Sequence, residues 1–410
     1  MTAKSAPGPQ LPVGLVTYSV KPRGGAVHTV HLAEALHAAG YPVRLIALGD
    51  PDVGFFRPVR VPVTIIPAPP HLPTLEERVF ASVAALAEGL APLAAAYPVL
   101  HTQDCISARA ADQVRDAAGT GRPVVIRTVH HVDDFTSPSL IDCQRRAILE
   151  PDRILVVSEH WRDLLYLDYG IKAEVVHNGV DAARFQAADP AQARTQARTQ
   201  ARTQARTQAR TQAKEMRRRA GAADRPLILS VGGIEPRKGS DTLVQAIAAL
   251  KKAGRRPVLA VVGGHSFQDY RPYRDRVLAS LPGLGLRLDH DVVLVGTVPD
   301  AELPAWYAAA DVLAFPSTKE GWGLAVLEAM SAGLPVVASD LPVFREYLTA
   351  GRDALLVPVN DAAALAAALT EVLDDPQLAA RLRARALVTA QRFTWARSAA
   401  EHQAIYAAIR

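Results

Sequence analysis

Short apolar runs alternate with helical stretches along this chain, and the rhythm is run through twice. PVGLVTYSV, VHTVHLAEALHAAG and PVRLIALG lead to a helical region from Leu75 to Ala96, then PVLHTQD, PVVIRTVHH and RILVVSEH. Beyond residue 222 it restarts with PLILSVGG, SDTLVQAIAALKKAG, PVLAVVGG, DVVLVGTV, AELPAWYAAA, VLAFPS, a helix over Glu320 to Ala332, LPVVAS and ALLVPV. Strands apolar on both faces and separated by helices belong to parallel sheets covered on both sides. The expected class is therefore α/β, with two doubly wound, Rossmann-like domains. Sheets of this kind bind ligands outside the carboxyl ends of their strands, and two facing domains would form a cleft there. The expected boundaries are 1–185 for the first domain, 186–222 for a low-complexity segment and 223–393 for the second, with a closing helix near 394–410.

A chain of 410 residues, 49% hydrophobic and 21% charged, has enough apolar material for two full cores. Its formal net charge of +5 invites a nucleic-acid reading. Residues 186–220, however, carry nine basic and two acidic residues, which is +7, so the rest of the chain sums to −2. A basic face spread over the domains is not what raises the pI, and no nucleic-acid partner is expected. The charge sits in the tetrapeptide QART, repeated from Gln192 to Gln212, which strings Arg194, Arg198, Arg202, Arg206 and Arg210 along one drifting helical stripe. Alanine and glutamine favour helix while like charges at i,i+4 oppose it, so a solvated, frayed helix is expected. The stripe would give at most a weak association with an anionic membrane surface. Cys105 and Cys143 lack the spacing of a disulfide framework or a zinc site. The first twenty residues show no signal pattern and no run of about 18 uninterrupted apolar residues follows, so a cytoplasmic protein is expected, at most peripheral at the inner membrane face.

The segment FPSTKEGWGLAVLE, residues 315–328, sets Glu320 and Glu328 eight residues apart around a Gly-Trp-Gly turn. Read as helical rise, that spacing covers about 12 Å, the reach from a ribose across a diphosphate to a hexose. Gly321 and Gly323 let the backbone approach a ligand, and the free N–H groups from Leu324 onward form an anion site. Glu328 lies within an apolar run, where a carboxylate without a partner is costly, so a role is expected: accepting hydrogen bonds from ribose hydroxyls, with Glu320 reaching the transferred sugar. After the strand PLILSVGG, Gly233 opens a loop that presents Arg237 and Lys238 before a helix near Ser240, two cations suited to a diphosphate. In the first half, Gly24 and Gly25 give a second close-approach loop. His130 ends a strand, and His101, Gln103 and Asp104 end another, where they could hold the acceptor substrate, with a loop-capping role for Asp104 equally consistent. His131 with Asp133 and Asp134, or His28 with His31, would need convergence that spacing does not show, so no metal is expected. Neither glycine pair continues as G-x-G-x-x-G, and no nicotinamide cofactor is expected.

PSTKEGWGLAVLEAMSAGLPVVASD, residues 316–340, resembles the donor-site signature of GT-B glycosyltransferases, in particular the large retaining family numbered four. PRGGAVHTVHLAEAL, TVHH at 128–131, NGVDAARF at 178–185 and VGGIEPRKGS at 231–240 extend the resemblance over nearly all of the chain outside 190–220. QDCIS, HHVDDF, GGIEPRKGS and GGHSFQDY together resemble, more narrowly, a bacterial subgroup whose genes lie near a nitrilase. The resemblance implies transfer of a hexosyl unit from a nucleoside-diphosphate sugar to a hydroxyl acceptor, with retention of configuration and with no cofactor or metal. It also implies that His130 contacts the sugar or its 6-hydroxyl, that the backbone of Gly296, Thr297 and Val298 frames the base, and that the closing helix crosses back to cover the first domain. Trp322 and Leu324 join Gly24, Gly25, Gly233 and Glu328 as donor-binding positions on this reading, and His265 sits behind the site. A nucleotide-sugar epimerase or hydrolase, or a non-catalytic nucleotide-sugar-binding protein, is the alternative on the same fold.

Overall fold

A computed structural model describes residues 10–119, 121–186, 199–264, 267–268 and 270–409, with backbone alone for 199–207. The chain divides into two compact units, Met1–Gly179 with Trp395–Arg410, and Val180–Thr394. The first contains, in chain order, β1 (Val13–Thr17), α1 (Gly24–Ala38), β2 (Val43–Gly49), β3 (Val63–Pro67), α2 (Leu75–Leu90), β4 (Val99–Thr102), α3 (Cys105–Ala117), β5 (Val124–Val129), α4 (Pro138–Leu149), β6 (Arg153–Val156), α5 (Glu159–Tyr169) and β7 (Glu174–Val175). The strands are all parallel in the order β3-β2-β1-β4-β5-β6-β7. Every residue of β1 and β4 is buried, as both-face coverage requires.

The second unit contains α6 (Ala182–Gln186), α7 (Thr199–Arg219), β8 (Leu227–Val231), α8 (Ser240–Lys252), β9 (Val258–Val262), α9 (Arg271–Ser280), β10 (Val292–Gly296), α10 (Leu303–Ala309), β11 (Val312–Phe315), α11 (Leu324–Ser331), β12 (Val336–Ser339), α12 (Pro342–Arg345), β13 (Leu355–Val357), α13 (Ala362–Asp374) and α14 (Pro376–Ala390). Its parallel sheet runs β10-β9-β8-β11-β12-β13. The last helix, α15 (Trp395–Ala407), returns to the first unit and packs on α1.

Several sequence expectations are corrected here. The strand β3 was absent from the expected alternation, which passed from PVRLIALG straight to the helical region from Leu75. The division falls after Gly179 rather than at 185: Phe185 on α6 is buried against Tyr307 of α10, ring centroids 5.5 Å apart, which ties α6 to the second unit. The segment 186–222 is not a separate piece throughout. The end of α7 is packed into the second unit through buried Met216, and Arg217 donates to the carbonyl of Ala309 at 2.7 Å and to Asp311 at 3.1 Å. Arg194 and Arg198 lie outside the described residues. The stretch Leu75–Ala96 is long and apolar enough to cross a membrane by length and composition, with mean hydropathy 1.7. In this fold its Val79, Val83, Leu86 and Leu90 are buried, a helical spacing that packs α2 on α3.

Candidate active site

In each sheet the strand order reverses once, between β1 and β4 and between β8 and β11. The loops leaving those strands are where a doubly wound sheet holds its ligands. In the second unit they are the segments after β8 and β11, and they carry the residues singled out above. A short turn, Pro236–Lys238, follows β8 and is closed by Gly239 at φ 64°; a Cβ there would collide with the carbonyl oxygen of Pro316. The two loops are therefore pressed together, with Thr318 N–H donating to the carbonyl of Arg237 at 2.9 Å. Gly233 is also closely packed, its Cβ position lying 2.5 Å from the Gly264 oxygen.

This contact delivers Arg237 and Lys238 to one carboxylate. Oε1 of Glu320 accepts from Lys238 Nζ at 2.7 Å, Arg237 Nη1 at 3.1 Å and Ser317 Oγ at 2.8 Å. Burial would push the Glu320 carboxyl up, but Lys238 and Arg237 outweigh it and hold the group down at about 2. Burial lowers the Lys238 ammonium, Glu320 opposing, and the ammonium also lies 4.6 Å from the Phe315 ring. The side chains are unequally covered: Glu320 is 7% exposed, Lys238 17% and Arg237 28%, and Arg237 also lies 3.6 Å from Glu235. An incoming anion therefore meets the guanidinium before the carboxylate.

The next turn corrects the helix expected over Glu320 to Ala332. Gly323 takes φ 88°, a left-handed conformation that cannot sit inside a helix, and a Cβ there would come 2.6 Å from the Phe344 ring. The helix α11 begins only at Leu324, so the Glu320–Glu328 separation is a turn plus one helical turn rather than continuous rise. Its N-terminus carries no side-chain cap and is left to backbone N–H groups, the arrangement that favours an anion. Trp322 is a donor-binding expectation that its ring does not fit. The side chain is 2% exposed and packs against Tyr347 and Phe393 at 4.8 and 5.3 Å, while its carbonyl accepts from Tyr347 Oη at 3.0 Å. Only the backbone of Gly321, Trp322 and Gly323 remains to serve the turn.

Glu328 is half-buried on α11, and burial raises its carboxyl to about 7 against the hydrogen bond from Tyr307 and the charge of Arg184. Oε2 accepts from Tyr307 Oη at 2.7 Å. Gly296 ends β10 and Thr297 and Val298 follow it, Gly296 at φ 77° with its carbonyl accepting from Gly263 N at 2.9 Å, and Thr297 exposed. The structure thus brings together Arg237, Lys238, Glu320 and the Gly321–Leu324 turn. Glu328 stands with Tyr307, and the 296–298 loop lies at the edge strand. His265 is outside the described residues.

In the first unit, Gly24 opens α1, whose N-terminus likewise has no side-chain cap, and a Cβ on Gly25 would lie 3.9 Å from the His130 ring. His130 Nε2 donates to Gln103 Oε1 at 3.2 Å, and burial lowers the imidazole to about 3, so it is neutral in ordinary buffers with Nδ1 as an acceptor. Asp104 caps α3: Oδ1 accepts from Ser107 N at 2.7 Å and Oδ2 from Tyr18 N at 2.9 Å. His101 is fully buried between Tyr406 Oη at 2.7 Å and Thr128 Oγ1 at 2.8 Å, which removes it as an acceptor-holding residue. His28 and His31 face Trp395 rather than a common centre. Among the described residues no group of three or more His, Cys, Asp or Glu converges as a metal site.

Sequence reasoning missed Ser317, Tyr307, Arg184 and Asp300 around these acids. The signal available was indirect: a carboxylate in an apolar run needs a donor, and the nearby AELPAWYAAA helix offers a tyrosine.

Residues 22–184 match the family described as Glycosyltransferase Family 4, and residues 212–388 that described as Glycosyl transferases group 1. Among curated relatives, a GDP-mannose-dependent alpha-(1-6)-phosphatidylinositol monomannoside mannosyltransferase of Mycolicibacterium smegmatis is 31% identical over 65% of this chain and 64% of its own length. A D-inositol 3-phosphate glycosyltransferase of Thermobispora bispora is 38% identical over 46% of this chain and 45% of its own. The chain thus spans less than two thirds of these two relatives. Among solved structures, Anabaena HepE in complex with UDP and glucose superposes with TM-score 0.76 at 18% identity, covering 98% of this chain and 100% of that one. Sucrose-phosphate synthase from Thermosynechococcus elongatus gives 0.75 at 24% identity, covering 97% and 98%. Likeness at such identity speaks of the fold alone. The chain is therefore built from a family 4-type and a group 1-type glycosyltransferase domain, two Rossmann-like halves of the GT-B fold.

Proposed function

We propose that the protein transfers a hexosyl unit from a nucleoside-diphosphate sugar to a hydroxyl acceptor, with retention of configuration and without a metal ion. The observation that carries this reading is the convergence of Arg237 and Lys238 on Glu320 beside the uncapped N-terminus of α11. Two cations and a row of backbone N–H groups supply the charge that a leaving diphosphate needs, already oriented before the reaction begins. In the step proposed, the bond from the anomeric carbon to the phosphate oxygen breaks and its electron pair leaves with the nucleoside diphosphate. The acceptor oxygen then bonds to the same face of the anomeric carbon, and its proton passes to the departing phosphate. Glu320, ionised and fixed by three donors, orients the sugar hydroxyls, while Glu328 accepts from the ribose. In the first unit, neutral His130 offers Nδ1 to a sugar hydroxyl.

The relatives' names include a GDP-mannose donor, and a structural neighbour holds UDP and glucose, so GDP- and UDP-sugars head the panel to test. The segments QDCIS, HHVDDF and GGIEPRKGS support the finer kinship with the nitrilase-linked subgroup. The test is a thermal-shift panel of nucleoside diphosphates and their sugars in the presence of a chelator, followed by incubation with hydroxyl acceptors and NMR of the product anomer. A donor that raises the melting temperature and yields an α-linked product from an α-linked donor supports the proposal. Donor turnover with no glycoside formed, or an inverted product, contradicts it.

A further inference from the structure

The carboxylate of Glu328 is held from behind. Tyr307, 1% exposed on α10, aims its hydroxyl at Oε2 of Glu328 at 2.7 Å and lies 3.3 Å from the carbonyl of Ala325, one turn earlier on α11. Among the described residues Oε1 makes no hydrogen bond, and it is not among the buried polar atoms left without one. One oxygen is thus locked and the other is presented outward. The tyrosine is itself braced. Phe185, 2% exposed, meets its ring edge to face at 5.5 Å and 86°. Arg184, beside it, ion-pairs with Asp300 at 2.9 Å and donates to the Asp300 carbonyl, fixing α6 against the turn that follows the 296–298 loop.

We infer that Tyr307 is a positioning residue for donor binding: its hydroxyl, seated by Phe185 of the NGVDAARF segment, fixes Glu328 with one oxygen free for a ribose diol. This rests on the donor-site reading given above and assigns the segment 178–185 a task in that site. The charged and titratable groups facing the Glu328 carboxyl are Tyr307 from α10, Arg184 from α6 and Asp300 from the turn before α10; α14, along the far end of α11, brings Arg383 against Gly333 instead. Burial raises the Glu328 carboxyl to about 7, and the Tyr307 hydrogen bond is the first of the influences that restrain it. The ionised carboxylate is the better acceptor for two sugar hydroxyls, so removing the phenol hydroxyl both frees the rotamer and moves the loss of affinity to higher pH.

The experiment measures the affinity of wild type, Tyr307→Phe and Phe185→Leu for the nucleoside diphosphate that binds best and for its 2′,3′-dideoxy analogue, between about pH 6 and 9. Wild type is expected to prefer the ribonucleotide and to weaken as the pH falls through 7. Tyr307→Phe is expected to lose about tenfold for the ribonucleotide at neutral pH, to recover part of this toward pH 9, and to bind the dideoxy analogue as wild type does. Phe185→Leu is expected to shift the same way by less, and it stands in if Tyr307→Phe does not fold. An unchanged pH profile in both variants, or an equal loss for both nucleotides, overturns the inference. Failure of wild type itself to distinguish the two nucleotides overturns instead the donor reading on which it rests.

Discussion

Glu320 sits where two cations need a partner, and its behaviour on mutation separates structure from chemistry. In Glu320→Gln the amide oxygen still accepts from Lys238 and Ser317, but no negative charge competes with a diphosphate for the cations. Transfer is expected to fall by roughly a hundredfold or more, the loss of a charged contact made in the transition state, while calorimetric affinity for the bare nucleoside diphosphate holds or rises. A parallel loss of both would place Glu320 in scaffolding alone. Gly239→Ala tests the loop contact: left-handed backbone and the collision with Pro316 together are expected to cost about 1–3 kcal/mol and to displace Arg237, seen as a lower melting temperature and weakened diphosphate binding. At this scale the sequence marked Arg237, Lys238 and Glu328 by their chemistry, and the structure sets the two cations on Glu320 and gives Glu328 a tyrosine donor, while their part in donor binding stays a proposal. The sequence was misleading for Trp322, because an indole beside glycines fits a ligand or a core equally well, and three-dimensional packing alone places it against Tyr347 and Phe393.

Among the elements, α11 and α15 carry the contrast. The coarse helix over Glu320 to Ala332 starts four residues early, whereas the Gly-Trp-Gly turn marked the break that the left-handed φ of Gly323 makes. The helix α15 closes the first unit through its apolar face and one buried hydrogen bond, Tyr406 Oη to His101 Nδ1. Tyr406→Phe leaves that nitrogen buried without its partner and is expected to cost about 1–3 kcal/mol, measured by chemical denaturation. Burial also lowers the imidazoles of this unit: His28 and His101 well below the usual value, His130 to about 3 and His402 to about 4. Their folded pKa values lie under the unfolded value of about 6.5, so the stability they confer is complete above that pH and is lost as the pH falls toward 4 and 3, by about 1.4 kcal/mol per unit for each. Asp104 and Asp112, raised by burial, offset part of this. In the second unit Glu328 works the opposite way, the folded form gaining as pH falls from about 7 toward the ordinary carboxylate range. Hydrogen exchange at pH 7 and 5 is expected to show protection lost first in the first unit, and loss beginning in the second would contradict this sign.

Across the whole chain, the doubled strand–helix rhythm was legible because parallel strands buried on both faces need continuous apolar runs. The boundary was not, because Phe185 read as the end of the first domain and Met216 as part of the low-complexity segment until their burial in the second unit is seen. The strand order then explains why the readable motifs fall where they do: both glycine-rich loops leave strands at the point of reversal. The proposed transfer depends on a diphosphate-bearing donor engaging Arg237 and Lys238. Titration calorimetry of wild type and Arg237→Ala with the best-binding nucleoside diphosphate, in chelator, tests it most directly. A loss of about ten- to a hundredfold in affinity, the worth of a charged hydrogen-bonding partner, with the melting temperature of the free protein unchanged, is the predicted result; equal affinity in the two proteins, or no diphosphate bound by either, would contradict it.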